Sequence, residues 1–128
     1  MIRDVKSSYV IAEAVQAQTI AAGTENGVQV DHSLGNSASY FVSVGAITGT
    51  VDMKIEHSED GSSWVDDNGE SGNDTSITQI TASGTAQLNV VNPQARYSRA
   101  VVTVGGTSAV ASVTSVMGPL RTITPNDL

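Results

Sequence analysis

The chain has 128 residues, no cysteine, 15% charged residues and a net charge of −7, which points to one domain and excludes disulfides, thiolate metal sites and cysteine nucleophiles. Sixteen serines and thirteen threonines stand where charges are usual, and seventeen valines face only four leucines; such a chain favours pleated sheet and disfavours a helical bundle, a coiled coil or a disordered acidic tail. Thirteen acids against six cations, with no basic stripe, make nucleic acid and anionic membrane unexpected partners, and no run approaches the roughly 18 apolar residues of a bilayer span.

In chain order, Met1 to Ser8 is polar with isolated Ile2 and Val5 and lacks the apolar stretch of a leader, so it reads as an N-terminal arm. Tyr9 to Ala22 has a helix-like alanine and glutamine content. Its alternation of Val10, Ala12 and Ala14 with Ile11, Glu13 and Val15 favours a strand. Gly27 to His32 reads as a strand with Val28 and Val30 on one face. In Ser39 to Ile47, Tyr40, Val42 and Val44 share a face. Thr50 to His57 alternates most cleanly, with Val51, Met53, Ile55 and His57 opposite Asp52, Lys54 and Glu56. One buried and one wet sheet face give that pattern.

Trp64 and Val65 begin a return strand, Ile77 and Ile80 mark a shorter one, and Leu88, Val90 and Val91 another. Tyr97 to Val104 and Ala109 to Met117 are the last two. Turn signals separate the runs: Gly23 to Gly27, Ser33 to Asn36, Asp60-Gly61, Asn68-Gly69, Ser83-Gly84, Asn92-Pro93 and Gly105-Gly106. The reading is an all-β, single-domain antiparallel β-sandwich of about eight strands over residues 9–118. Residues 1–8 form one arm and 119–128 the other, where Pro119 and Pro125 oppose a sheet ladder. Val42 to Val51 and Val102 to Val110 echo each other as strand, small-residue turn and second strand, either as two packed hairpins or through shared composition alone.

Eight acids between Asp52 and Asp74, against Lys54, concentrate the negative charge in one lobe. It reads as a solvated hairpin, with a cation site or a patch for a basic partner as the sharper alternative. Asp66 to Asp74 offers hard oxygens suited to Ca²⁺, but in EF-hand register Gly69 falls where a side-chain ligand is needed. His57 ends a strand on its apolar face and His32 follows Asp31 at a strand end; both read as hydrogen-bonded structural residues. There is no nucleophile elbow, P-loop or dinucleotide fingerprint. The expectation is therefore no enzyme, no cofactor and no metal. Ser58 to Trp64 resembles the sialidase Asp-box one residue short, a turn motif in which Trp64 packs on the hairpin or serves as a carbohydrate platform.

The segments Val42 to Trp64 and Arg96 to Val104 resemble small virion proteins of tailed bacteriophages, including head decoration, or cement, proteins of jelly-roll-like sandwich type. The likeness covers roughly residues 10–118 and rests on structural hairpins. It implies a homo-oligomer on the capsid exterior, made in the host cytoplasm, with the major capsid protein as partner and no catalytic residue. The arms then supply candidate contacts, Ile2, Arg3, Val5, Leu120, Arg121, Ile123 and Leu128, which either fold back on the domain or dock on a neighbour. Hydroxyl-rich strand edges leave room for edge pairing, so a dimer is expected over a trimer. A tail- or head-fibre-associated carbohydrate-binding module is the alternative; it requires Trp64 exposed together with one or more of Tyr9, Tyr40 and Tyr97.

Overall fold

A computed structural model describes residues 9–69 and 72–120. Six strands make one antiparallel sheet: β1 (Val10–Asn26), β2 (Val30–Asp31), β3 (Gly35–Ser58), β4 (Val65–Asp66), β5 (Gly84–Val90) and β6 (Tyr97–Leu120). The order is β1-β6-β3-β4, with β5 also on β3 and β2 also on β6. The all-β class and the sandwich-like arrangement hold. The strand number is six rather than eight, because two predicted pairs are each one continuous strand of 24 residues.

The reason lies in the glycines. Gly49 lies opposite Gly106 and Thr50 opposite Gly105, at a register shift between β3 and β6. Gly49 (φ +129°) and Gly106 (φ +82°) occupy backbone conformations that side chains disfavour. A Cβ on Gly49 would run into the carbonyl oxygen of Gly105, and one on Gly106 would come within 2.8 Å of the Gly49 Cα. These small residues form a bulged corner that both strands cross together, where the sequence suggested separate turns. The echoing segments are thus the two sides of that corner.

The corner also resets which face is buried. Tyr40, Val42 and Val44 are buried before it in β3; Val51, Met53, Ile55 and His57 are buried after it. In β6 the buried set passes from Ser98, Ala100, Val102 and Val104 to Ala109, Ala111, Val113, Ser115 and Met117. Parity changes in both strands, so one bent sheet turns both halves towards one core. The halves meet where Tyr40 Oη, in the first half of β3, lies 2.8 Å from Ser98 Oγ, in the first half of β6. Gly27 N–H donates to Ala100 O (2.7 Å) and Val28 N–H to Ala14 O (2.8 Å), which ties the layers along one side.

Smaller differences have local causes. The strand expected over Gly27 to His32 shrinks to two residues, because Gly27 and Val28 spend their amides on that tie. The run around Ile77 and Ile80 makes isolated bridges rather than a strand: Val51 pairs with Ile80 and Lys54 with Ser76. β6 extends through Pro119 to Leu120, whose Cα partner is Gly35, so its backbone enters the segment read as the C-terminal arm. The arm residues Ile2, Arg3, Val5, Arg121, Ile123 and Leu128 lie outside the described residues.

Candidate interaction surfaces

The acidic lobe is built from hydrogen bonds rather than left as a cage of free oxygens. At its first turn Gly61 takes φ +78°. Asp60 Oδ1 accepts N–H bonds from Ser62 (2.8 Å) and Ser63 (2.9 Å) and the Ser58 hydroxyl (3.0 Å). The amides of Ser63 and Ser62 lead in lowering the Asp60 carboxyl to about 2. Farther on, buried Asp67 pairs with His57 and accepts from Gly69 N–H (2.7 Å) and Asn73 Nδ2 (2.9 Å). Burial pushes the Asp67 carboxyl up, but these donors outweigh it and hold it below its ordinary value. Asn73 Oδ1 in turn accepts the amides of Val91 and Asn92, both at 2.9 Å.

Four further acids of the lobe are also engaged. Asp66 and Glu56 meet Lys54 at 2.7 and 3.4 Å, Glu56 takes two N–H bonds from Arg99, Asp52 accepts from Gln79, and Asp74 from Asn89 N–H. Among the described residues no group of three or more histidines and acids is placed to hold a metal ion. The lobe reads as a folded strap whose acids hold it to β3 and β5.

The histidines sit apart. His57 is 1% exposed; Nε2 faces Asp67, and its Nδ1 has no hydrogen-bond partner. The neighbouring Ser58 hydroxyl is turned to Asp60 and accepts Gly61 N–H at 2.8 Å, so a carboxylate–imidazole pair is present without a serine attached to it. His32 Nε2 lies 2.7 Å from Ser98 Oγ, in the same buried chain as Tyr40. Burial pushes the Tyr40 phenol well above its usual range.

The aromatic residues named for a carbohydrate platform are in part engaged within the fold. Tyr40 is buried, while the Arg99 guanidinium lies 4.1 Å from the centre of the Trp64 ring and Arg96 4.9 Å from that of Tyr97. Trp64 thus braces a Glu56–Arg99 ion pair (2.7 Å) across β3 and β6.

A different surface is apolar. Val10 and Ala12 of β1, Val28 to Asp31, Leu34, and Ser115 and Met117 of β6 line a groove of about 250 Å³. Val10, Val28 and Leu34 are 45%, 63% and 51% exposed. Val10 pairs with Met117, and Leu120 with Gly35, so the described chain begins and ends at one end of the sheet beside this groove. The sequence reading placed Val28 with Val30 on a strand face and missed the groove. The available signal was Leu34, a large apolar residue inside a turn.

No protein-family model matches the chain, and no curated protein sequence does. Among solved structures, the chain is similar to a subunit of Bacillus endospore appendages, described as disulfide-linked pili: TM-score 0.55 and 15% identity, over 89% of this chain and 90% of that one. PirA is also similar, with TM-score 0.49 and 13% identity over 84% of this chain and 94% of that one. At these identities the likeness concerns the fold.

Proposed function

We propose that the protein is a non-catalytic structural subunit that works in an assembly containing copies of itself. The observation that carries this reading is an exposed apolar groove at the end of the sheet where the described span begins and ends. Contiguous exposed apolar surface marks contact sites. Most acids of the lobe and both histidines, by contrast, are engaged within the fold. The appendage subunit of like fold is part of a pilus, a use of this architecture that agrees with self-assembly outside the cell.

Within that reading the finer assignment is head decoration of a tailed bacteriophage, carried by the sequence resemblance. The major capsid protein is then the partner, the capsid exterior the location, and Ile2, Arg3, Val5, Leu120, Arg121, Ile123 and Leu128 the contact residues. The discriminating experiment mixes the purified full chain with capsids and, separately, concentrates it alone, followed by sedimentation and electron microscopy. Co-sedimentation that is lost when residues 1–8 and 121–128 are deleted supports decoration. Filaments or closed oligomers formed without capsids, together with no capsid binding, overturn decoration and keep the self-assembling subunit. A monomer that ignores capsids at every concentration overturns both.

A further inference from the structure

We propose that the groove between the start of β1, the 28–34 connection and the end of β6 receives the N-terminal segment, residues 1–8, of a second copy of this chain. The proposal rests on the self-assembly reading and names its contact. Nine large hydrophobic side chains are exposed among the described residues, and three of them, Val10, Val28 and Leu34, line this one depression. Its polar groups are few: Gln29, Asp31 and Ser115. The occupant it fits is a short apolar-spotted peptide carrying a cation.

Residues 1–8 match that description. Ile2 and Val5 are apolar, and Arg3 and Lys6 outnumber Asp4, while the rest of the chain holds four cations against twelve acids. Residues 121–128 also offer apolar groups, Ile123 and Leu128, but Arg121 and Asp127 cancel. Against a body with an excess of acids, charge therefore favours the N-terminal segment. Asp31 in the groove wall is itself ion-paired with Arg96 (3.0 Å), so the attraction comes from the acidic body as a whole.

The second copy is favoured over the segment's own body by where the chain starts. Val10 is itself a wall of the groove. To enter the groove beside it, the same chain would have to reverse direction within the few residues before Val10, which leaves little length for the groove. Eight extended residues span about 26 Å, enough to reach a neighbouring molecule. Two copies exchanging identical segments also bury both grooves by the same contact, the self-complementary arrangement expected of a two-fold interface.

The absence of cysteine makes the test direct. One batch of full-length protein carries Val5→Cys, a second, tagged for size, carries Leu34→Cys, and the two are mixed under mild oxidation. The expected result is a mixed disulfide-linked dimer in excess over either homodimer. In parallel, Val28→Glu, at a 63% exposed site, shifts the association midpoint seen by sedimentation velocity to about tenfold to hundredfold higher concentration. Its circular dichroism and melting should stay as in the parent.

Three results overturn the proposal. A chain carrying both cysteines that closes only on itself assigns the groove to its own segment. Cross-linking of Leu34→Cys to Ile123→Cys in preference to Val5→Cys assigns it to the C-terminal segment. Association unaffected by Val28→Glu, without a mixed dimer, places the contact elsewhere and leaves the self-assembly reading intact. A monomer at all concentrations, without capsid binding, sinks that reading too.

Discussion

The two margins of the bent sheet are finished in different ways. On the β4–β5 side, groups of the acidic strap meet backbone positions of β3, β5 and the residues that follow β5. Asp74 N–H donates to Asn89 O and the Asp74 carboxylate accepts Asn89 N–H, both at 2.9 Å. Asn73 caps Val91 and Asn92, and Ile77 and Ile80 donate to Met53 and Val51. On the β1 side, a 17-residue strand pairs inward with β6, and the outward tie seen among the described residues is Val28 N–H to Ala14 O. That strand holds two charges, Glu13 and Glu25, and no proline, and three register shifts interrupt its ladder. An open edge with few charges invites pairing, whereas bulges blunt it. One margin is closed by the chain's own side chains; the other stays open among the described residues.

The strongest way to erase the contrast is to break the corner that both margins share. Gly49→Ala puts a methyl group against the Gly105 carbonyl at φ +129°, and backbone strain and overpacking each cost about 1–3 kcal/mol. The expected outcome is loss of the cooperative melt or a strongly lowered Tm, with both margins opening together in hydrogen exchange. Retention of the parent Tm would mean that the corner does not constrain the fold.

Next in size, Asp67→Ala removes the buried partner of His57 and a hydrogen-bond acceptor of Asn73. Truncating one member of a buried pair costs roughly 3–5 kcal/mol. Exchange protection should fall first in β4, β5 and residues 72–80, and least in β1. Equal loss on both sides would refute the separate closure of the two margins. Acid should do the same more gently. Asp67 titrates below its ordinary value in the folded chain and Asp60 at about 2. Their stabilisation is complete above the unfolded carboxylate value near 4 and is lost as pH falls towards 2. Melting followed from pH 5 to 2 should show a falling Tm, less steep in Asp67→Ala.

Residues that alternate with period two were readable in the sequence. Tyr40, Val42 and Val44, then Val51, Met53, Ile55 and His57, were placed on the faces they bury, because each run pairs locally with an even register. The links between runs were harder. Glycine at 45, 49, 105 and 106 looks the same in a hairpin turn as in a bulge crossed by two strands, and only the facing partner, Gly49 against Gly106, distinguishes them. The Asp67–His57–Asn73 knot joins residues that no motif connects; its parts looked like a solvated acidic loop. The groove escaped notice because Val28 and Val30 share strand parity, yet the layer tie at Gly27 and Val28 turns Val28 outward.

The smallest expected effect on the monomer is the sharpest test of the open margin. Ile11 is 62% exposed on β1, and Ile11→Lys adds a charge to an edge that has few. Surface substitutions of this kind usually stay within about 0.5 kcal/mol, so Tm should hardly move. A lysine on an edge strand opposes strand addition by a neighbour. Should copies associate by pairing β1 edges, this variant would dissociate them; should they associate by seating residues 1–8 in the groove, Ile11→Lys would leave association near the parent value while Val28→Glu weakens it about tenfold to hundredfold. The two variants therefore separate a backbone contact from a side-chain contact on the same margin. The groove contact is expected because Val10 and Ala12 face it and Ile11 alternates away from them along the strand.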